Sequence, residues 1–309
     1  MTLEHASRLL RHNSGPRTPL RPPLPPRLHY LVRKVLPRKP RALLFDIYGT
    51  LFMSASGDVG AAIHSSAVEQ FARFLARYTP SQITEGQELV AKAATVRDLY
   101  FAAIEESHSA RVKGTCIDPD LFPEVDIRDV WLAVLRESRI APPTRENSVH
   151  AALLYEAISN PVWPMPDAFA TLRGLEPFYA LGIVSNAQFY TRILPHAFWG
   201  TSWQALGFLP LYTAFSYEEG RAKPDPRIFD RPLASLRAQG IDSREVLYLG
   251  NDMRNDVHAA KMRGCMAALF AGDSSSLRLR EEIETAAPDS VILRLSDVPA
   301  ILSNGGHHL

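Results

Sequence analysis

Short apolar runs alternate with segments of helical periodicity along most of this chain of 309 residues. The first run, ALLF from Ala42, leads into Asp46 and a turn, as a buried strand does when it delivers a carboxylate to its end. Similar runs follow at residues 179–184, 212–215, 245–250, 266–270 and 291–295. Helix-compatible segments, among them 226–239 and 254–263, separate these runs. This alternation predicts an α/β fold with a Rossmann-like, doubly wound parallel sheet and a site at the carboxyl ends of its strands.

A long tract with helical periodicity and little strand character separates the first run from the second. Within residues 54–160, apolar residues stand at helical spacing in four segments: 61–78, 86–108, 126–138 and 147–158. In the first segment these residues are Val68, Phe71, Leu75 and Tyr78. Because the tract begins close to Asp46, we predict a helical cap that closes over the site and excludes water.

The first 40 residues differ in composition from the rest. Residues 1–41 contain ten Lys and Arg but a single acid, Glu4, so their net charge is +9 and that of the remaining chain is −8. A segment crowded with Pro and Arg favours an extended, solvated chain, because Pro removes backbone donors and restricts φ. We therefore predict three parts: a basic, Pro-rich, disordered extension (1–40), an α/β core (41–53 and 161–309) and a helical cap (54–160).

The composition argues against several classes of protein. No stretch approaches the roughly 18 apolar residues of a membrane span, and the start of the chain lacks the apolar region of a secretory signal. Cys116 and Cys265 are the only cysteines, so neither a disulfide framework nor a zinc finger is predicted. No nucleic-acid-binding pattern occurs outside the basic start. We expect a cytoplasmic protein, with an organelle as the alternative because the start is rich in Arg; the sequence predicts no oligomeric state.

Candidate catalytic residues follow the predicted strands. The carboxylate of Asp46 is placed to attack an electrophilic phosphorus or carbon atom, which divides a difficult displacement into two easier steps. The hydroxyls of Thr50 and Ser185 are candidate donors to phosphate or carboxylate oxygens, and Asn186 is a candidate for orienting the substrate. Lys223 supplies a positive charge that balances Asp46 and an anionic substrate. An ordinary helix N-cap is the alternative interpretation of Ser185 and Asn186.

Two more carboxylates, Asp252 and Asp256, follow the run at 245–250. Together with Asp46 they could hold Mg²⁺ through oxygen ligands, while waters and the substrate complete the octahedron. The alternative is an acidic helix start, which the helix dipole favours without any metal.

Four segments resemble the four ordered motifs of the haloacid dehalogenase superfamily. They are DIYGT (46–50), the dipeptide Ser185-Asn186, KPDP (223–226) and GNDMRND (250–256). The resemblance covers about residues 42–275 and implies a hydrolase that works through an aspartyl-enzyme intermediate. It also implies one more Mg²⁺ ligand, the backbone carbonyl of Tyr48. Asn251 stands where many members have Asp, so the ligand at this place is either Asp252 or its neighbour.

The residue two positions after Asp46 separates two groups within this superfamily. Phosphatases carry an Asp there as general acid and base, whereas this chain has Tyr48, and a phenol with a pKa of about 10 is a poor base at neutral pH. Losing a positioned acid typically slows a reaction ~10²- to 10⁴-fold. Tyr at this place resembles the 2-haloacid dehalogenases, whose halide leaves without a proton. Those enzymes, however, have a metal-free fourth motif rich in Ser and Asn, and a Tyr where this chain has Phe229.

The acidic fourth motif decides between these groups, because clustered carboxylates repel one another unless a cation lies between them. We therefore predict a Mg²⁺-dependent phosphatase that acts on a small, anionic, phosphorylated metabolite. A carbon–halogen hydrolase is the first alternative, and a binding or regulatory protein that has kept the fold without turnover is the second. Candidates for choosing the substrate, which could equally belong to a solvated helix face, are Tyr100, His108, Arg111 and Lys113 of the predicted cap.

Overall fold

The structure is a computed structural model that describes residues 1–12, 17–55, 67–79, 86–112, 122–282 and 284–302. Its strands are β1 Ala42–Phe45, β2 Phe52–Ser54, β3 Val162–Pro164, β4 Ala180–Ser185, β5 Phe208–Phe215, β6 Val246–Gly250, β7 Met266–Phe270 and β8 Ser290–Ile292. Its helices are α1 Leu3–His12, α2 Pro26–His29, α3 Ala67–Tyr78, α4 Gln87–Val112, α5 Ile127–Ser138, α6 Arg145–Ser159, α7 Ala168–Leu175, α8 Leu194–Trp199, α9 Ser216–Glu219, α10 Asp230–Ala238, α11 Ala259–Met262 and α12 Val298–Leu302. Among the helices so described, none is long and apolar enough to cross a membrane.

Six strands form a parallel sheet in the order β5-β4-β1-β6-β7-β8. This arrangement confirms the predicted α/β class, and every predicted run forms a strand. Two bounds differ from the prediction by more than one residue: β5 begins four residues earlier, at Phe208, and β8 ends three residues earlier, at Ile292. The helices predicted at 226–239 and 254–263 are also present, the second as a π-helical segment, Met253–His258, that continues into α11.

Both faces of the sheet are covered, which explains why its strands are continuous apolar runs. On β1, Leu43 and Phe45 belong to one apolar core, whereas Ala42 and Leu44 belong to the core on the opposite face. All four side chains are buried. Because the carboxyl ends of parallel strands share one edge of the sheet, the segments that follow β1, β4 and β6 converge there.

The helical tract between β2 and β3 confirms the predicted cap. Its helices α3 to α6 pack around an aromatic cluster of Phe71, Phe74, Tyr100, Trp131 and Tyr155. β2 and β3 pair with each other antiparallel, an element that the sequence pattern did not predict. Residues 61–66 of the first predicted helix and most of the link after α4 lie outside the described residues.

The start of the chain packs on the folded body, so the prediction of a disordered extension is wrong for the described residues. α1 lies against α6 of the cap and α8 of the core. On its inner face Ala6 and Leu10 are buried. The amino terminus of Met1 lies 3.1 Å from Oε1 of Glu146, and the imidazole rings of His5 and His150 are 5.9 Å apart. A short amphipathic helix therefore joins the cap to the core.

The Pro-rich part of the same segment is also anchored. Leu28, Leu31 and Leu36 are each at most 4% exposed. Pro has no backbone N–H to donate, but the other residues of this segment do. The backbone N–H of Arg33 donates to the carbonyl of Val291 on β8 at 2.8 Å. Composition concealed these contacts because the few apolar residues are spaced among Pro and Arg.

Candidate active site

The carboxylate of Asp46 lies directly after β1 and is 6% exposed. Its Oδ1 atom accepts hydrogen bonds from Nζ of Lys223 at 2.7 Å and from Oγ of Ser185 at 2.8 Å. Within the part of the chain that the structure describes, no hydrogen bond reaches Oδ2. Two donors thus orient this carboxylate through one oxygen and leave the other available for chemistry.

The ammonium group of Lys223 is shared between two carboxylates and a phenol. Besides Asp46, it donates to Oδ1 of Asp256 at 2.6 Å and to the hydroxyl of Tyr248 at 2.8 Å. Burial disfavours the charged form, but Asp256 and Asp46 outweigh it, so the pKa of Lys223 is raised above its ordinary value. Lys223 therefore stays cationic across the physiological pH range.

Asn186 holds the backbone of Lys223 instead of pointing a free amide at a substrate. Its Oδ1 accepts from the Lys223 N–H at 2.7 Å, and its Nδ2 donates to the Lys223 carbonyl at 3.0 Å. This pairing fixes the loop after α9 against the end of β4. These contacts show Asn186 positioning Lys223, while its predicted role toward a substrate stays a prediction.

Thr50 and Asn251 are bound to each other. Oγ1 of Thr50 donates to Oδ1 of Asn251 at 3.0 Å, and Nδ2 of Asn251 donates to the Ser276 carbonyl at 2.6 Å. Gly49 makes this approach possible, because its φ is 88° and a Cβ there would lie 2.6 Å from the Asn251 side chain. The hydroxyl of Thr50 and the amide of Asn251 thus join the loop after β1 to the loop after β6, while their predicted roles toward substrate and metal stay predictions.

The two acids after β6 already have partners. Oδ1 of Asp252 accepts from the backbone N–H groups of Arg254 and Asn255 at 2.8 and 3.0 Å, and Oδ2 accepts from Nη2 of Arg280 at 2.7 Å. Oδ2 of Asp256 accepts from the backbone N–H of Asp252 at 2.9 Å. Its Oδ1 binds Lys223. All four carboxylate oxygens of these acids therefore accept hydrogen bonds from the protein.

This arrangement does not fit a resident Mg²⁺. A cation at Asp252 or Asp256 would have to displace Arg280 or Lys223, and among the described residues no group of three or more His, Cys, Asp or Glu side chains could hold a metal ion. The mutual repulsion of the carboxylates, which favoured Mg²⁺ from the sequence, is relieved by these two basic side chains.

Tyr48 is buried and turned toward Thr191. Its hydroxyl lies 2.8 Å from Oγ1 of Thr191. Burial is the main reason that the pKa of Tyr48 is raised well above its ordinary value; the nearby Glu156 and Asp46 add to this effect, and the Thr191 hydrogen bond opposes it. The phenol therefore remains protonated and cannot serve as a base at neutral pH.

Glu156 of α6 is a functional candidate that the sequence did not reveal. Its Oε2 accepts from the hydroxyl of Tyr190 in the core at 2.7 Å, and its Oε1 accepts from Nδ2 of Asn160 at 2.9 Å. Burial raises the pKa of Glu156 to about 7, although both hydrogen bonds favour the ionised form. One Glu in an amphipathic helix carries no sequence signal; its position at the cap–core contact distinguishes it.

We expect the Glu156→Gln variant to lose part of the pH dependence of stability. Because the folded state raises the pKa of Glu156 to about 7, its contribution is fully present below the pKa of the unfolded chain and is lost as pH rises through 7. The upper limit is roughly 3 kcal/mol. Chemical denaturation at pH 5 and pH 8 measures the difference for the wild type and the variant.

Burial also raises the pKa of Asp256 to about 6, so this carboxyl group adds a pH dependence of the same sign. Because Asp256 is present in both proteins, the difference between the wild type and Glu156→Gln reports on Glu156 alone. Glu137→Gln, at an exposed position on α5, is the matched control and should leave the pH dependence unchanged. An equal pH dependence in wild type and Glu156→Gln would contradict this assignment.

Comparison with solved structures defines the family of folds. No protein-family model and no curated protein matches the sequence. The structure resembles the 2-haloacid dehalogenase from Pseudomonas syringae pv. Tomato DC3000 with a TM-score of 0.53 and 19% identity, over 85% of this chain and 97% of that one. The chain has the haloacid dehalogenase fold. At this identity the likeness concerns the fold alone, and it confirms the fold that the resemblance of the four sequence segments implied.

Two further structures are similar over nearly the same span. A defluorinating L-2-haloacid dehalogenase has 20% identity and a TM-score of 0.49, over 87% of this chain and 98% of its own. A phosphatase of the haloacid dehalogenase (HAD) superfamily from Thermococcus onnurineus has 19% identity and a TM-score of 0.45, over 85% of this chain and 97% of its own.

Within the haloacid dehalogenase fold of this chain, residue 229 is Phe, and the phenol that contacts Lys223 belongs to Tyr248 on β6. Phe229 is buried, and its ring packs edge-on against Tyr248 with centroids 4.9 Å apart. The Tyr248 hydroxyl accepts from Lys223 and donates to the Val184 carbonyl at 2.7 Å. From the sequence, a phenol near Lys223 was considered only at residue 229, so Tyr248 on β6 was missed.

The candidates for substrate choice in the cap are only partly described. Tyr100 lies in the aromatic cluster of the cap, with its ring centroid 5.4 Å from that of Trp131, so packing is its observed role. His108 lies on α4 and is partly buried. The side chain of Arg111 and all of Lys113 lie outside the described residues.

Proposed function

We propose that the chain is a hydrolase in which Asp46 attacks a small anionic substrate and forms a covalent aspartyl intermediate. One observation carries the proposal: Oδ1 of the buried Asp46 is held by Lys223 and Ser185, and Oδ2 accepts no hydrogen bond from the described residues. Holding one oxygen orients the other for attack without further loss of rotational freedom. The charge of Lys223 lowers the cost of bringing an anion to this carboxylate.

Carbon–halogen hydrolysis is the reaction that these residues support best. Oδ2 of Asp46 bonds to the carbon atom next to the substrate carboxylate, while the halide departs with the electrons of the broken carbon–halogen bond. Water then hydrolyses the ester, which releases a 2-hydroxy acid and a proton and restores Asp46. A halide needs no proton on leaving, so the protonated phenol of Tyr48 is compatible with this step. Neutralisation of Asp252 by Arg280 and of Asp256 by Lys223 removes the need for a metal.

A Mg²⁺-dependent phosphatase is the second candidate, and one observation favours it: carboxylates at positions 46, 252 and 256 converge at the same edge of the sheet. For that function, Asp252 and Asp256 would hold the cation in place of their present basic partners, Arg280 and Lys223. Tyr48 supplies no proton to a departing alkoxide, so phosphate esters with good leaving groups are the substrates that fit.

A substrate panel with and without metal tests the proposal. The substrates are chloroacetate, 2-chloropropionate, acetyl phosphate and p-nitrophenyl phosphate, each assayed with Mg²⁺ and with EDTA. We expect halide release from the haloacids in both conditions, because no step requires the metal. We also expect Mg²⁺ to leave the melting temperature unchanged, since a ligand raises it only by binding the native state.

Two outcomes would overturn the preferred reaction. Phosphate release that depends on Mg²⁺, together with a higher melting temperature in its presence, would support the phosphatase instead. The absence of turnover on every substrate would favour a binding or regulatory protein on the same fold, and the hydrolase proposal would then fail.

A further inference from the structure

One arginine beside the candidate site pairs with no acidic side chain among the described residues. Arg254 follows β6 within the π-helical segment, and its side chain is exposed. Its backbone N–H donates to Oδ1 of Asp252 at 2.8 Å, which fixes the backbone of Arg254 next to the acids of the site. Among the described residues, no carboxylate forms an ion pair with its guanidinium group, in contrast to Arg280.

The guanidinium of Arg254 is held by the cap instead. Its central carbon lies 5.3 Å from the ring centroid of Phe122, a cation–π geometry that leaves the N–H groups at the edge of the guanidinium free to bind an anion. The carbonyl of Phe122 accepts from the backbone N–H of Ala222 at 2.8 Å, and Pro123 forms a β-bridge with Arg221. These bonds attach the segment before α5 to the residues just before Lys223, so Arg254 lies where cap and core meet.

The charges of the site leave an anionic substrate in need of a further cation. Within the described part of the chain, Asp46, Asp252 and Asp256 form ion pairs with two cations, Lys223 and Arg280. Each of those cations is already paired, so neither has its full charge available for an incoming carboxylate or phosphate. Arg254 supplies the positive charge that the balance lacks.

We propose that Arg254, braced on the ring of Phe122, binds the anionic group of the substrate and determines its specificity for anions. The inference rests on the proposed hydrolase and names the residue that recognises its substrate. A planar guanidinium can bind a carboxylate or a phosphate with two parallel hydrogen bonds, whereas the ammonium of Lys cannot present the same pair of donors. Phe122 contributes by holding the guanidinium in place before the substrate arrives.

Kinetics of the Arg254→Gln variant on the best substrate of the panel test this role. Removing charged hydrogen bonds to the anion should raise KM about 10- to 100-fold while kcat changes less than about threefold, because Asp46 and Lys223 are untouched. The KM of Arg254→Lys should lie between those of the wild type and Arg254→Gln. Phe122→Leu should raise KM a few-fold by removing the ring under the guanidinium.

The matched control is Arg244→Gln. Arg244 is an exposed arginine in the 3-10 turn Ser243–Glu245, just before β6, so it lies at the opposite end of the strand that Arg254 follows. Its removal changes the net charge by the same amount and should leave KM unchanged. Equal KM values for wild type and Arg254→Gln, or equal increases in both variants, would overturn the inference.

A binding measurement separates this inference from the hydrolase proposal. Calorimetric titration of wild type and Arg254→Gln with inorganic phosphate and with glycolate requires no turnover. We expect the variant to bind at least one of these anions about tenfold or more weakly. If the panel yields no turnover but this loss is observed, the hydrolase proposal fails and the anion site stands. If the wild type binds neither anion, or binds both as weakly as the variant does, the anion site is refuted.

Discussion

The Asp46→Asn variant is expected to lose turnover by at least about 10³-fold while keeping the fold. An amide lacks the anionic oxygen that attacks the substrate, yet it has nearly the same size and can still accept the hydrogen bond of Ser185. Lys223 keeps Asp256 and Tyr248 as partners, so the change leaves no buried charge without a counterpart. Turnover of the panel substrates and thermal unfolding measure the two effects separately.

A covalent intermediate gives an independent readout of the same residue. Rapidly quenched wild-type protein should show the mass of an adduct during turnover, and Asp46→Asn should not. Asp98→Asn is the control, because the Asp98 side chain is 67% exposed on α4. Activity of Asp46→Asn within tenfold of the wild type, in protein free of wild-type contamination, would refute the nucleophile assignment.

A chain that begins at Lys39 is expected to be much less stable than the full chain. The truncation removes α1 and the buried side chains of Leu28, Leu31 and Leu36. Burying a Leu stabilises a protein by roughly 1.5 to 3 kcal/mol, so losing all three costs on the order of 5 kcal/mol, a large part of a typical folding free energy. The melting temperature should fall by about 10 °C or more.

A second truncation separates the contribution of α1 to stability from that of the three leucines. A chain that begins at Arg17 loses α1 but keeps the three leucines, so we expect an intermediate melting temperature. Its unfolding also tests whether α1 couples the cap to the core through α6 and α8. If both truncated chains have the same melting temperature as the full chain, the first 38 residues contribute nothing to stability. The contacts of α1 and of the three leucines would then have no stabilising effect.

The sheet was predictable because its strands carry their own signal. A strand buried on both faces must be apolar throughout, as β1 and β6 are, and that pattern survives in one dimension. The antiparallel pair β2 and β3 was not predictable. Each strand is three residues long. One precedes the cap in the sequence and the other follows it, so their pairing depends on the path of the chain through space.

The meeting of the candidate catalytic residues was predictable for a similar reason. Parallel strands bring their carboxyl ends to one edge, so Asp46, Ser185 and Lys223 had to meet whatever the details of packing. Their hydrogen bonds of 2.7 and 2.8 Å agree with that expectation. The roles were less accessible: the orienting of Asp46 by Ser185 and the positioning of Lys223 by Asn186 depend on side-chain directions.

By itself, the sequence determined the α/β class, the helical cap and the group of residues at the edge of the sheet, because periodicity and strand ends are local properties of a chain. Only the tertiary structure decided which charge neutralises which. Arg280 pairs with Asp252 from 28 residues farther along the chain, and Glu156 reaches Tyr190 from the cap. The packing of α1 and Leu28 was hidden in the same way. Such partners are selected by proximity in space, and two segments far apart in sequence carry no local mark of the contact that they will make.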